Sequence, residues 1–218
     1  MKATIVSVLI AGALLAVAPP PAAAAQARAA AAPASSAAAR TVMESSTRII
    51  NTLQQRRAEF RSNRNALQSF IDGELNRGFD REYAARLVLG VHGRGATPQQ
   101  VTLFADAMAD NLMARYGDTL LQIEGNPRFR LKGESPLPGN RGVKVSTELL
   151  RNGAEPTPVD YLMRQVDGHW KIFDVMIEGI SYVQTFKNQF DSPLRQKGIE
   201  QVARELRSGS LQASGNGR

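Results

Sequence analysis

Apolar positions follow two periods along this chain, helical in the first half and strand-like in the second. Thr41-Val42-Met43-Glu44 has capping-box spacing, and Ile49, Ile50 and Leu53 continue an apolar stripe behind it. Leu67, Phe70, Ile71 and Leu75 predict a second helix ending near Gly78. Asp80 is placed to cap a third, which carries Tyr83, Leu87 and Val88. After the loop 92–96, Thr97-Pro98-Gln99-Gln100 combines a capping box with proline at the first helical position. The helix behind it sets Val101, Phe104, Ala105, Met108, Leu112 and Tyr116 on one side, at spacings of three and four.

The period then shortens. Residues 120–132, 142–150, 158–166 and 169–177 read as four strands, separated by turn-rich segments and, between the last two, by Asp167-Gly168. Connections this short predict an antiparallel meander. Val143, Val145, Thr147 and Leu149 alternate with polar residues, so that strand has one wet face. In the last strand Trp170, Ile172 and Met176 point one way and Phe173, Val175 and Ile177 the other, so both faces should be covered. One helix with Ile180, Val183, Phe186 and Phe190 follows, then another capped by Ser192-Pro193 with Ile199, Val202 and Leu206. Helices gathered before and after a meander indicate the α+β class.

The ends change the picture of the domain. Lys2, an uncharged apolar run over 3–17 and the small residues before Gln26 read as a secretory signal peptide over 1–25. That run is shorter than the roughly 20 residues a membrane span needs. Residues 26–40 are an Ala/Pro-rich linker and 208–218 a flexible tail, which leaves 41–207 as the folded domain. The chain carries a net charge of +7. Without Lys2 it has 26 basic and 20 acidic residues, and that balance favours acidic partners. Export removes nucleic acid as the expected partner and leaves anionic lipid or membrane surface.

Candidate chemistry is sparse. The chain has no cysteine and two histidines, which excludes thiol catalysis and argues against a transition-metal site. Nucleophile-elbow and phosphate-loop motifs are absent. The best catalytic fragment is His169 with Asp174, plus Asp160 on the neighbouring strand. An odd separation puts His169 and Asp174 on opposite faces of a regular strand, which disfavours a dyad. Asp174 interrupts an apolar strand, so it needs hydrogen-bond donors or a shifted pKa. Gly179, in the junction Glu178-Gly179-Ile180-Ser181-Tyr182, can supply an unusual backbone angle, and Glu178 suits a helix N-terminus. Arg40, Arg48, Arg56, Arg57, Arg61 and Arg64 form a basic run, either a solvated face or a surface for anionic membranes or partners.

The stretch WKIFDVMIEGISYV (170–183), with FKNQF (186–190) and KGI (197–199), resembles the MlaC family of periplasmic phospholipid-binding proteins. The resemblance extends upstream through TPQQV…F (97–104), YGD (116–118), VKVST (143–147) and PVDY (158–161), and covers 63–207. His92-Gly93-Arg94-Gly95 departs from the family pattern. The resemblance implies a nuclear-transport-factor-like fold, in which a curved sheet holds lipid tails against helices. It implies a phospholipid carrier that is no enzyme and needs no cofactor. Its cargo would pass between an outer-membrane lipoprotein–porin complex and an inner-membrane ABC transporter with its lipid-binding substrate protein, maintaining outer-membrane lipid asymmetry. The implied tail-lining residues are Phe104, Met108, Leu112, Val145, Tyr161, Met163, Phe173, Val175, Ile177, Tyr182 and Phe186.

Two other readings stay open: a small enzyme on the same scaffold using a pocket Asp, or a ligand-free periplasmic adaptor. An enzyme requires a small, partly polar pocket faced by Asp174 or Asp160; a carrier requires a long apolar cavity; an adaptor requires none.

Overall fold

The computed structural model of the chain describes residues 36–122 and 127–214. The expected signal peptide, most of the linker and the last four residues lie outside the described residues. Among the described residues, six α-helices and five strands follow in the order α1 (Ala37–Gln55), α2 (Arg57–Ser62), α3 (Arg64–Gly78), α4 (Arg81–Leu89), α5 (Pro98–Leu121), β1 (Arg128–Pro136), β2 (Val143–Leu150), β3 (Thr157–Val166), β4 (His169–Ile177), β5 (Ile180–Ser181) and α6 (Tyr182–Ser208). The strands form one antiparallel sheet in sequence order, so the class is α+β with a meander, as expected. The sheet has five strands rather than four, because Ile180–Ser181 pairs back onto Ile177 and Met176.

Several boundaries differ from the sequence reading, each for a local reason. The first helix begins at Ala37 under a Ser36 cap, and the Thr41 hydroxyl donates instead to Ala37 O, four residues back. Ala38 and Ala39, expected in a linker, are fully buried. Their small side chains let α1 lie close against Val145, Met163 and Ile172 of the sheet. The strand expected from residue 120 starts at 128, because Leu120 and Leu121 follow Tyr116 and Gly117 by four residues and continue the stripe of α5. Ser192-Pro193 caps nothing. Proline forfeits one helical hydrogen bond there, but buried Phe190 and Leu194 on either side hold α6 continuous, and its break comes at Gly198 (φ 74°, ψ 172°).

Phe173 is an extra residue in β4. Leu162 pairs with Asp174 and Met163 with Ile172, which leaves Phe173 unmatched in a bulge. A bulge inverts the two-residue alternation, so Ile172 and Val175 share one face although the sequence phase opposes them. Phe173 turns its ring edge-on to Tyr83 of α4, centroids 5.2 Å apart. The α3–α4 junction is fastened to the same strand. Asp80 N–H donates to Ile172 O at 2.8 Å, and Asp80 accepts from Tyr83 N and from the Arg164 guanidinium.

Residues 208–214, expected as a flexible tail, are tied to α5 and α6. Buried Asn111 donates to Leu206 O (2.6 Å) and Leu211 O (3.0 Å) and accepts from Ala213 N (2.8 Å). Gln189 holds Gln212 O and Ser214 N in the same way. Replacing Asn111 with leucine leaves Leu211 O and Ala213 N–H without their partner, while Leu206 O keeps the Gly209 N–H. We expect a loss of about 2–4 kcal/mol in denaturant unfolding, with proteolysis beginning in 206–214. Unchanged stability would mean that the clasp contributes nothing.

Candidate functional site

Among the described residues, two adjoining cavities between the helices and the sheet have mainly apolar walls. The inner one, about 320 Å³, is lined by α3, α4, α5, β4 and the start of α6. Its wall is apolar apart from Arg81, Asp174 and the tyrosine hydroxyls, and none of its lining residues is exposed. The outer one, about 840 Å³, lies between α1, α3, the end of α5 and strands β1 to β4. Phe79 and Leu120 line both, so the cavities meet at these two side chains. Phe79 is placed there by its backbone, which bridges Ile172 at the turn from α3 to α4.

The expected lining residues divide. Met108, Leu112, Phe173, Val175, Tyr182 and Phe186 line the inner cavity, and Tyr161 lines the outer one. Phe104, Val145, Met163 and Ile177 line neither. Phe104 is fully buried and packs edge-on against Phe190 at 5.9 Å. Val145 and Met163 lie under Ala38, Ala39 and Val42 of α1. Ile177 is at the end of β4, paired with Val159 and Ile180. Sequence reasoning missed Phe79, Met113 and Leu120 in the inner wall and Phe129 in the outer, and it named Tyr116, Val42 and Leu149 only as positions of their helix or strand. It marked Ile71, Leu75, Ile49, Ile50 and Leu53 as apolar stripes without assigning them to a cavity; all five line one.

Asp174 is buried at the inner wall, and its partners are local. Its carboxylate accepts from the Ser181 hydroxyl (2.6 Å) and from Val183 N–H (3.0 Å), in the first turn of α6. Ser181 in turn accepts from Gln184 N–H and so caps that helix. Burial pushes the Asp174 carboxyl above the usual aspartate range, and these hydrogen bonds oppose the shift. Glu178 does not serve the helix terminus. With Gly179 it forms the exposed β4–β5 turn, at φ 52° and 82°.

The catalytic fragment is not assembled. His169 is exposed and pairs in register with Val166, whereas Asp174 pairs with Leu162. Asp160 makes an ion pair with Lys144. Among the described residues no histidine lines either cavity, and no cluster of His, Asp or Glu could hold a metal ion. No described helix is long and apolar enough to cross a membrane.

The basic run is partly neutralised. Arg48 grips Glu74, Arg56 pairs with Glu59, and Arg64 with Asp118. Glu74, at the outer cavity wall, also takes Arg77, and the Arg48 hydrogen bond foremost holds its carboxyl below the usual glutamate range. Tyr161 shares the outer wall. Burial raises its phenol pKa, against a hydrogen bond with Ser46.

A family model described as MlaC protein matches residues 43–208. The chain is 26% identical over 158 residues to the toluene tolerance protein ttg2D of Pseudomonas putida, covering 72% of this chain and 73% of that one. It is 18% identical over 174 residues to the intermembrane phospholipid transport system binding protein MlaC of Haemophilus influenzae, covering 78% and 81%. The solved structure of a phospholipid-binding protein from Ralstonia solanacearum, in complex with a phospholipid, superposes with a TM-score of 0.70 at 21% identity, over 80% of this chain and 98% of that one. The fold is therefore shared.

Proposed function

This chain belongs to the MlaC protein family, and from that membership we propose that it is a periplasmic phospholipid carrier whose cavities take the acyl tails. The observation that carries this reading is the apolar inner cavity, which meets a larger, partly polar outer cavity at Phe79 and Leu120. The inner cavity offers almost no polar partner to a substrate, which suits a tail and does not suit a reacting group. Removing an acyl chain from water is worth about 0.8 kcal/mol per methylene, so two chains of roughly fourteen methylenes give a gross term of about 20 kcal/mol. That approaches the practical ceiling on non-covalent affinity, before ordering costs. Tails alone can hold the cargo, and different headgroups are tolerated. Release becomes the hard step and needs a partner that opens the cavity or offers the tails an apolar path. In the proposed cycle those partners are an outer-membrane lipoprotein–porin complex and an inner-membrane ABC transporter with its own lipid-binding protein. Their joint work maintains outer-membrane lipid asymmetry.

Incubating lipid-free protein with phosphatidylethanolamine–phosphatidylglycerol vesicles, then separating the two, tests the reading. Phospholipid should move into the protein fraction and saturate. Protein that never acquires lipid would defeat it. Export is tested separately. In a two-membrane bacterium the mature protein should begin near Gln26, within several residues; a cytoplasmic pool that retains Met1 would reject the periplasmic location.

A further inference from the structure

The geometry points to a phosphate-binding position at Arg151, at the mouth of the outer cavity, which takes the phosphate of a bound lipid. This inference rests on the carrier reading and gives the cargo a direction. The exposed residues of the outer cavity wall are Gln122, Arg151, Asn152 and Ala154, at the end of α5 and in the β2–β3 turn. The inner cavity has no exposed lining residue. A lipid with buried tails therefore has its polar end at this turn, with the tails running inward past Phe79 and Leu120.

Arg151 is suited to meet it. Its Nη2 donates to Thr157 Oγ1 at 3.0 Å, which orients the guanidinium, and it makes no ion pair among the described residues. The other arginine in the cavity walls, Arg81, is already held by Asp106 and Asn76. Glu74, the acid among the described residues of the outer wall, is neutralised by Arg48 and Arg77. A guanidinium fork matches phosphate oxygens, and the Asn152 amide beside it adds a further donor. All phospholipids share this phosphate, so the contact separates phospholipid from diacylglycerol without selecting among headgroups.

The test uses the full chain, freed of lipid, and vesicles containing equal amounts of phosphatidylglycerol and diacylglycerol with the same acyl chains. Bound lipid is extracted and counted by mass spectrometry. Wild-type protein should enrich phosphatidylglycerol on the order of tenfold, the scale of one charge-assisted contact. Arg151→Ala should bring the ratio close to one with total acyl chains unchanged, and Arg151→Lys should restore part of it. An Arg151→Ala protein that keeps the wild-type ratio would overturn the phosphate site and leave the carrier reading intact. Wild-type protein that takes up neither lipid would defeat the carrier reading itself. Inorganic phosphate alone, titrated into lipid-free protein, should show no saturable binding. Saturable binding lost in Arg151→Ala would assign the position to free phosphate and overturn the lipid assignment.

Discussion

Leu112→Asp should weaken phospholipid binding on the order of a hundredfold while leaving the protein folded. Leu112 is half-buried on α5, with its side chain at the inner cavity, so a carboxylate there can be hydrated when no lipid is present. A tail cannot lie against that carboxylate without stripping its water. Excluding about four methylenes from the inner cavity costs about 3 kcal/mol, on the order of a hundredfold in affinity. Mixed with an equal amount of wild-type protein and limiting phospholipid, the variant should take only a few per cent of the lipid at equilibrium. Leu112→Met should take close to half. A Leu112→Asp protein with wild-type far-ultraviolet circular dichroism and an equal share of the lipid would mean that tails do not enter this cavity.

The second large effect falls on stability. Asp174→Leu removes the acceptor for the Ser181 hydroxyl and for Val183 N–H, leaving two donors without partners where β4 meets α6. We expect a loss of about 2–4 kcal/mol. Asp174→Asn keeps one acceptor oxygen and should lose about half as much, with lipid loading intact. The pH dependence distinguishes the acid from its amide. Burial raises the folded-state pKa of Asp174, so the folded chain binds this proton more tightly than the unfolded chain. Ionisation therefore costs stability, and the cost is fully present above the raised pKa. As pH falls through that value towards the ordinary aspartate range, wild type should gain stability relative to Asp174→Asn, and the gain should level off below it. Equal losses for both variants, independent of pH, would mean that Asp174 is not held as described. Loss of lipid transfer by Asp174→Asn at unchanged fold and loading would give the carboxylate a direct functional role.

Local chemistry was the legible part of this fold. Thr97 and Gln100 exchange the two hydrogen bonds that their spacing predicts, and Asp167-Gly168 makes its tight turn with both φ angles positive. Asp80 caps α4 as expected. What could not be read depends on partners distant in sequence. The bulge at Phe173 is a property of pairing between β3 and β4, and no side-chain pattern within β4 announces it. Ala38 and Ala39 resemble linker until a sheet lies close enough to make small size an advantage. The cavity was harder still. Phe104 and Leu112 share one stripe of α5, yet Phe104 meets the Phe190 ring and Leu112 meets a void. Apolar spacing identifies a face that leaves water; whether a side chain or a cavity waits opposite is decided by another helix. Of the residues that the family resemblance implied, those on α5, β4 and α6 include six that line the inner cavity, whereas Val145 and Met163 lie under α1.

Mass spectrometry of an organic extract from the correctly folded protein, purified without detergent, reads the cargo itself. Phospholipid should be present in stoichiometric amount, with headgroups as mixed as the host membrane supplies. A folded, detergent-free protein that yields no phospholipid would contradict the carrier reading.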